Sequence, residues 1–186
     1  MAKPIVLCAD STCDLSPELI EKYQVKIIPM HVNLEENSYL DGVDIDADAI
    51  YAYYREHKVL PKTAALNMDE FINAVNPYIE AGNDVICVTL GSGLSTTYNN
   101  CRLAAMEVEG LYAIDSSNLS TGFGHVVIAA GERIARDQHR QHGRCAKTLH
   151  RLTSLPYLTT ITVPGLPFVF TESLPAPAMP TPLELS

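Results

Sequence analysis

The sequence has no tryptophan, and no apolar run reaches the roughly 18 residues that a membrane-spanning helix requires. We therefore expect no membrane span. The first apolar run, within MAKPIVLCAD, is shorter than the core of a signal peptide and meets Asp10 at once. No secretion signal is expected either, which favours a cytoplasmic location.

The five cysteines form no CxxC pair and show no zinc-ligand spacing. Cys8 and Cys87 each lie in an apolar run typical of a strand, where a buried free thiol is the expected state. His139, His142 and His150 stand near i, i+3 and i+11, a spacing that does not indicate a metal site. We predict neither a metal nor a cofactor.

Basic residues are scarce, because 13 Lys and Arg face 22 Asp and Glu and give a net charge of -9. A nucleic-acid-binding protein needs clustered cations to displace the counterions of the phosphate backbone. The sequence shows no basic stripe, so nucleic acid is not an expected partner. The acidic balance mainly favours solubility.

Short apolar runs alternate with amphipathic segments over the first three quarters of the chain. The runs 4–10, 25–34 and 84–90, and a further run ending at Asp115, predict strands. Pro29 interrupts the second run, which indicates an edge strand or a bulge. Helices are predicted to begin at Ser16, Asp44 or Asp46, Asn67, after the 91–97 loop, and near Ser120 or Thr121. This alternation predicts an α/β domain over residues 1–137, with a mostly parallel sheet flanked by helices.

Composition changes after Asp137. Residues 138–186 hold seven of the 12 prolines, with four basic and two acidic side chains. Proline blocks both helix and central strand, so we predict an irregular Pro-rich tail, disordered or loosely attached. A natural tail and a shifted reading frame both account for the change. A plausible α/β continuation encoded in another frame after codon 137 would distinguish the second explanation from the first.

Small polar residues follow three of the predicted strands. They form the segments Asp10–Asp14, Gly91–Thr97 and Asp115–Asn118. Ligands of parallel α/β sheets bind outside the carboxyl ends of the strands, so three polar ends on one edge predict a binding site. Each segment alone is more typical of a turn or a helix cap than of a binding site.

The segment GSGLSTT narrows the type of ligand. It lacks the GK[ST] of a phosphate-binding P-loop, and Thr96 stands where a dinucleotide fingerprint needs its third glycine. Its hydroxyls, Ser92 and Ser95 among them, and its amides before a helix suit a small anion. Because the loop has no Lys or Arg, a carboxylate fits better than a polyphosphate. Ser95 has the competing role of capping the helix, although one hydroxyl can accept from one group and donate to another.

A catalytic alternative starts from the segment DSTCD. Asp10 and Asp14 in this segment are similar to the aspartyl nucleophile loop of a Mg²⁺-dependent phosphohydrolase or phosphotransferase. Such loops place a second Asp two residues after the first, and Thr12 occupies that position here.

Six segments in order resemble the DegV family of bacterial fatty-acid-binding proteins. They are ADSTCDL, IIPMHV, YLDGVDID, PKTAALNMDEF, VTLGSGLSTTYNN and AIDSSNLSTGFG, within residues 4 to about 137. The resemblance implies a non-catalytic α/β protein that holds a long-chain fatty acid in a tunnel. It also implies that some members present this ligand to a fatty acid kinase.

The family's carboxylate contacts are a Thr in a TSQP segment and the Ser of an LSGT loop. The resemblance implies these roles for Thr63 and Ser95, with Asp10, Ser11, Ser92 and Thr96 as neighbouring candidates. Two departures stand beside them: Ala64-Ala65-Leu66 replaces Ser-Gln-Pro, and Thr96 replaces the glycine. No match to the family's second domain, with its Arg and His contacts, follows Asp137. A truncated fragment without a ligand is therefore a further hypothesis.

Overall fold

The computed structural model describes residues 3–138. The elements in chain order are β1 (Ile5–Asp10), a 3₁₀ turn (Ser11–Cys13), α1 (Pro17–Tyr23), β2 (Lys26–Ile28), β3 (His31–Leu34), β4 (Asn37–Leu40), α2 (Ala47–His57), β5 (Lys62–Ala64), α3 (Met68–Glu80), β6 (Asp84–Thr89), α4 (Thr97–Glu107), β7 (Leu111–Asp115) and α5 (Ser120–Gln138). The predicted tail 138–186 and its three histidines lie outside the described residues, except Gln138, which ends α5. No helix within the described range is long and apolar enough to cross a membrane.

A four-stranded parallel sheet forms the centre of the fold, in the order β2-β1-β6-β7. Helices α3 and α4 pack together over β6 and β7, while α5 packs against α1, β1 and β6. The strands are almost continuously apolar because helices cover them, and β6 is buried from Val85 to Thr89. The predicted mostly parallel α/β architecture is confirmed.

The run 25–34 is two strands in two sheets, not the single strand that we predicted. Pro29 has no N–H to continue the ladder, so β2 ends at Ile28 and the chain leaves the first sheet. It enters a three-stranded antiparallel sheet, ordered β4-β3-β5. This sheet and α2 share a small core of their own, formed by Val32, Leu34 and Ile45 with Tyr39, Ile50 and Tyr53 packed against them.

Two helices begin at side-chain caps that the sequence predicts, whereas Ser16 precedes α1 without a side-chain capping bond. Asn67 accepts from the Glu70 amide while Glu70 accepts from the Asn67 amide, which forms a complete capping box for α3. Asp46 caps α2 through the amide of Ala49. The structure confirms Asn67 as the N-cap of α3. It shows that Asp46, not Asp44, is the N-cap of α2.

Helix α5 approaches the β1 loop closely at Gly124. A Cβ added there would lie 2.6 Å from the Cys13 carbonyl oxygen. Alanine stabilises a helix by about 1 kcal/mol relative to glycine. Here, however, the added Cβ would clash with the Cys13 carbonyl, and the clash can be relieved only if α5 moves. We expect Gly124→Ala to lower the free energy of unfolding by about 1–3 kcal/mol, measured by urea denaturation.

Gly122→Ala in the same helix is the matched control. The three atoms nearest to its added Cβ all belong to the Asn118 side chain, with Oδ1 at 2.8 Å, and a side chain yields more readily than backbone. Equal stability of the two variants would contradict the close approach of α5 at Gly124.

Candidate functional site

The carboxyl ends of β1, β6 and β7 lie side by side, because the three strands are parallel neighbours. The loops that follow them, residues 11–16, 90–96 and 116–119, are here termed the rim. The structure thus brings together the three polar segments that the sequence singles out. Hydrogen bonds between these loops fix the shape of the rim.

Asp10 holds the first two rim loops together from a fully buried position. Its Oδ2 accepts from the Leu90 amide at 2.8 Å, and its Oδ1 accepts from the amide and hydroxyl of Thr12 at 3.1 and 2.5 Å. Burial raises the pKa of Asp10, while the Thr12 hydroxyl and the two amides act in the opposite direction without offsetting it. Both carboxylate oxygens are therefore engaged within the fold rather than presented to a ligand.

Ser11 also serves the fold. Its Oγ accepts from the Met30 amide at 3.1 Å, which ties the first rim loop to the link between β2 and β3. The Met30 carbonyl in turn accepts from the Asp41 amide at 2.9 Å. The antiparallel sheet is thereby attached beside the rim.

Ser95 is half-buried and lies just before α4. Its Oγ accepts from the Thr97 amide at 3.2 Å and lies 2.9 Å from Thr97 Oγ1. The N-cap position belongs to Thr96, whose side chain makes no capping bond. Ser95 therefore performs part of the predicted capping role from one position earlier.

Ser92 and Thr96 are exposed on the same loop. The Ser92 amide donates to Asp115 Oδ1 at 3.1 Å, and the Ser117 amide donates to the same oxygen at 2.8 Å. Asp115 thus joins the second and third rim loops. Gly91 permits their close approach, since an added Cβ would lie 3.0 Å from the Ser117 carbonyl carbon.

Thr63 lies on β5, an exposed edge strand of the antiparallel sheet, opposite Val32. It is therefore on a different sheet from the strand that leads to Ser95. Asn100 of α4 connects the two regions, because its Nδ2 donates at 2.7 Å to the carbonyl of Leu66, just after β5.

A second connection is the hydrogen bond between His31 of β3 and Glu70 of α3, with 2.5 Å between Nε2 and Oε1. Glu70 Oε2 also accepts from the Asn67 amide at 2.7 Å. Burial acts to raise the pKa of Glu70, but the Asn67 amide and the His31 ring together lower it below its usual value. This contribution to stability is lost as the pH falls through the lowered pKa.

The thiols of Cys8, Cys13, Cys87 and Cys101 are free and buried, as predicted for Cys8 and Cys87. Burial raises the pKa of Cys8 to about 12 and that of Cys13 to about 11. Over residues 3–138, His, Cys, Asp and Glu form no group of three suited to a metal ion.

Sequence reasoning missed Met30 and Asn100, and it placed Thr97 in the polar loop without assigning it a role of its own. Met30 Sδ lies 3.9 Å from Thr97 Oγ1, although 67 residues separate the two positions. No local pattern signals such a contact. The only available sign was a hydroxyl residue, Thr97, at the first position of a helix.

Comparison with known proteins now adds to this geometry. A family model described as "Uncharacterised protein, DegV family" matches residues 4–152. A DegV domain-containing protein of Clostridium perfringens is 39% identical over 132 residues, which are 70% of this chain and 47% of that protein.

Solved structures give the same result. A DegV family protein from Thermus thermophilus, described as binding fatty acid, matches with a TM-score of 0.68 and 28% identity. The matched region covers 81% of this chain and 53% of the Thermus thermophilus chain. A stearic-acid-binding protein from Eubacterium ventriosum matches with a TM-score of 0.63 and 26% identity, covering 81% and 52%. The chain spans about half the length of the relatives it matches.

Proposed function

Because this chain belongs to the DegV family, we propose that it binds a long-chain fatty acid and holds the carboxylate at the rim. The observation that carries this proposal is the start of α4, where the Ser95 hydroxyl stands in a loop without Lys or Arg. A helix N-terminus favours an anion through its free amides and its dipole. The fatty acid binding described for the similar Thermus thermophilus and Eubacterium ventriosum proteins supports the same class of ligand.

Ser95 and Thr63 are the proposed carboxylate contacts. Ser92 and Thr96 offer exposed hydroxyls beside Ser95. Asp10 and Ser11 stay within the proposed site as residues that fix the rim, since their side-chain oxygens accept bonds from the Leu90 and Met30 amides.

The acyl chain would supply most of the affinity. A buried methylene contributes about 0.8 kcal/mol, so roughly fourteen of them would contribute about 11 kcal/mol before the costs of association. A hydrogen bond to a charged carboxylate adds about 1.5–3 kcal/mol. Ser95 and Thr63 would therefore mainly set the orientation of the ligand and the identity of its head group.

We further propose that the protein is a non-catalytic, cytoplasmic carrier that presents its fatty acid to a fatty acid kinase. We assign the binding role to the α/β domain of residues 1–137. A nucleophilic role for Asp10 has little support, because the carboxylate is fully buried and both its oxygens already accept hydrogen bonds. Asp14, the second acid of that alternative, is exposed.

The proposal is tested by native mass spectrometry of the purified 186-residue chain, followed by mass analysis of its organic extract. We expect a bound species at the mass of a fatty acid, absent from a sample denatured before incubation with lipid. An apo mass that stays unchanged in excess palmitate and oleate would contradict binding, and would identify the chain as a fragment that needs the other half of its relatives.

A further inference from the structure

Thr97 carries a hydroxyl in a completely buried position at the first residue of α4. Two side-chain groups from other residues lie near that hydroxyl. Oγ1 lies 2.9 Å from Ser95 Oγ and 3.9 Å from Met30 Sδ, and the Thr97 amide donates to Ser95 Oγ at 3.2 Å. Thr97 and Ser95 are thus connected twice.

The proton of each hydroxyl decides what Ser95 can offer to a ligand. A serine hydroxyl has one proton and two lone pairs, and the Thr97 amide already occupies one lone pair. If the Thr97 hydroxyl donates to Ser95 as well, both lone pairs are filled and the Ser95 proton is available to another group. In the opposite arrangement Ser95 donates to Thr97, whose own proton then has only the weak thioether acceptor of Met30.

We propose that Thr97 is a positioning residue that makes Ser95 a dedicated hydrogen-bond donor to the ligand carboxylate, and so sets the preference for an acid over an uncharged head group. This inference rests on the proposed function. An O–H···O⁻ bond is stronger than an O–H···S contact, so an anion at the rim selects the arrangement in which Thr97 donates to Ser95. Because Thr97 is buried, it acts through Ser95 and does not itself touch the ligand.

Two substitutions separate the hydroxyl of Thr97 from its packing. Thr97→Val keeps the β-branched shape and removes the hydroxyl, whereas Thr97→Ser keeps the hydroxyl and removes the methyl group. Laurate and 1-dodecanol serve as probes, because they share an alkyl length and differ in the head group. The ratio of their affinities reports the preference for the acid, and a loss of packing would lower both affinities together.

We expect Thr97→Val to weaken laurate binding about tenfold, the effect of one weakened bond to a charged group, and to change dodecanol binding by less than about twofold. Thr97→Ser should retain the wild-type ratio. In a Ser95→Ala background, Thr97→Val should leave the ratio unchanged, because the residue through which it acts is absent. Equilibrium dialysis of the full chain with radiolabelled probes measures all five ratios: wild type, Thr97→Val, Thr97→Ser, Ser95→Ala and the double variant.

The possible failures are distinguishable. A Thr97→Val variant that keeps the wild-type ratio and a native circular dichroism spectrum overturns the role of Thr97 and leaves fatty acid binding intact. A wild-type chain that binds neither probe overturns both proposals. If the valine variant does not fold, Thr97→Ala carries the same measurement with the same expected result.

Discussion

Replacing Asp10 with asparagine is expected to lower the free energy of unfolding by about 3 kcal/mol at pH 7, through the loss of a buried bond to a charged group. An amide side chain has one acceptor oxygen where the carboxylate has two. Either the Leu90 amide or the Thr12 groups would then face an NH₂ donor instead of an acceptor. Urea denaturation followed by circular dichroism measures the loss.

Asp14→Asn is the matched control for this prediction. Asp14 is exposed and has a φ of 48°, in the left-handed region that asparagine also tolerates. We expect its effect on stability to be within about 0.5 kcal/mol, as for other surface substitutions. A comparable loss in both variants would contradict the structural role of Asp10.

The difference in the free energy of unfolding between the wild type and Asp10→Asn, here termed the deficit, should change with pH in a definite direction. A carboxyl whose pKa is raised in the folded state binds more protons folded than unfolded, so its contribution to stability falls as the pH rises through the raised pKa. The wild type therefore loses stability as the pH rises, whereas the variant has no carboxyl at this position and its stability lacks this pH dependence. The deficit should therefore shrink between pH 4 and pH 7, and a deficit that grows over this range would refute the raised pKa.

The second large effect concerns the ligand. Ser95→Ala and Thr63→Ala should each weaken laurate binding by about tenfold or more, since each removes a bond of about 1.5–3 kcal/mol to a charged carboxylate. Binding of 1-dodecanol should change much less. Isothermal titration calorimetry on the full chain measures both ligands under the same conditions.

Ser38→Ala provides the matched control, because Ser38 is exposed on β4, at the opposite edge of the antiparallel sheet from Thr63. It should leave the affinity for both ligands unchanged. Equal losses for laurate and dodecanol in the Ser95 or Thr63 variant would exclude a specific contact with the carboxylate.

Much of the central fold follows from local signals. The alternation of apolar runs and amphipathic segments predicts the parallel sheet, and Asn67 with Glu70 predicts the start of α3. The meeting of the three polar loops is predictable too, because neighbouring parallel strands end at the same edge.

The antiparallel sheet was not predictable in the same way. Strand β5 has three residues, too few for a periodic pattern, and Pro29 stands inside one continuous apolar run although it separates two sheets. The orientation of the Asp10 side chain could not be predicted from the sequence either. An acid at a strand end looks the same whether its carboxylate faces a ligand or, as here, the amide of Leu90.

The attachment of the antiparallel sheet has a consequence for the motions of the protein. His31, the first residue of β3, pairs in register with Ala64, the last residue of β5. The insertion of residues 31–64 therefore begins and ends at paired residues. Without it, the chain would run from β2 through α3 to β6, as in an ordinary βαβ unit. Because this unit has a small core of its own, we expect it to open as a separate foldon while the parallel sheet stays intact. Amide hydrogen exchange should therefore be faster in β3 and β5 than in β1 and β6, because opening of this unit does not require global unfolding.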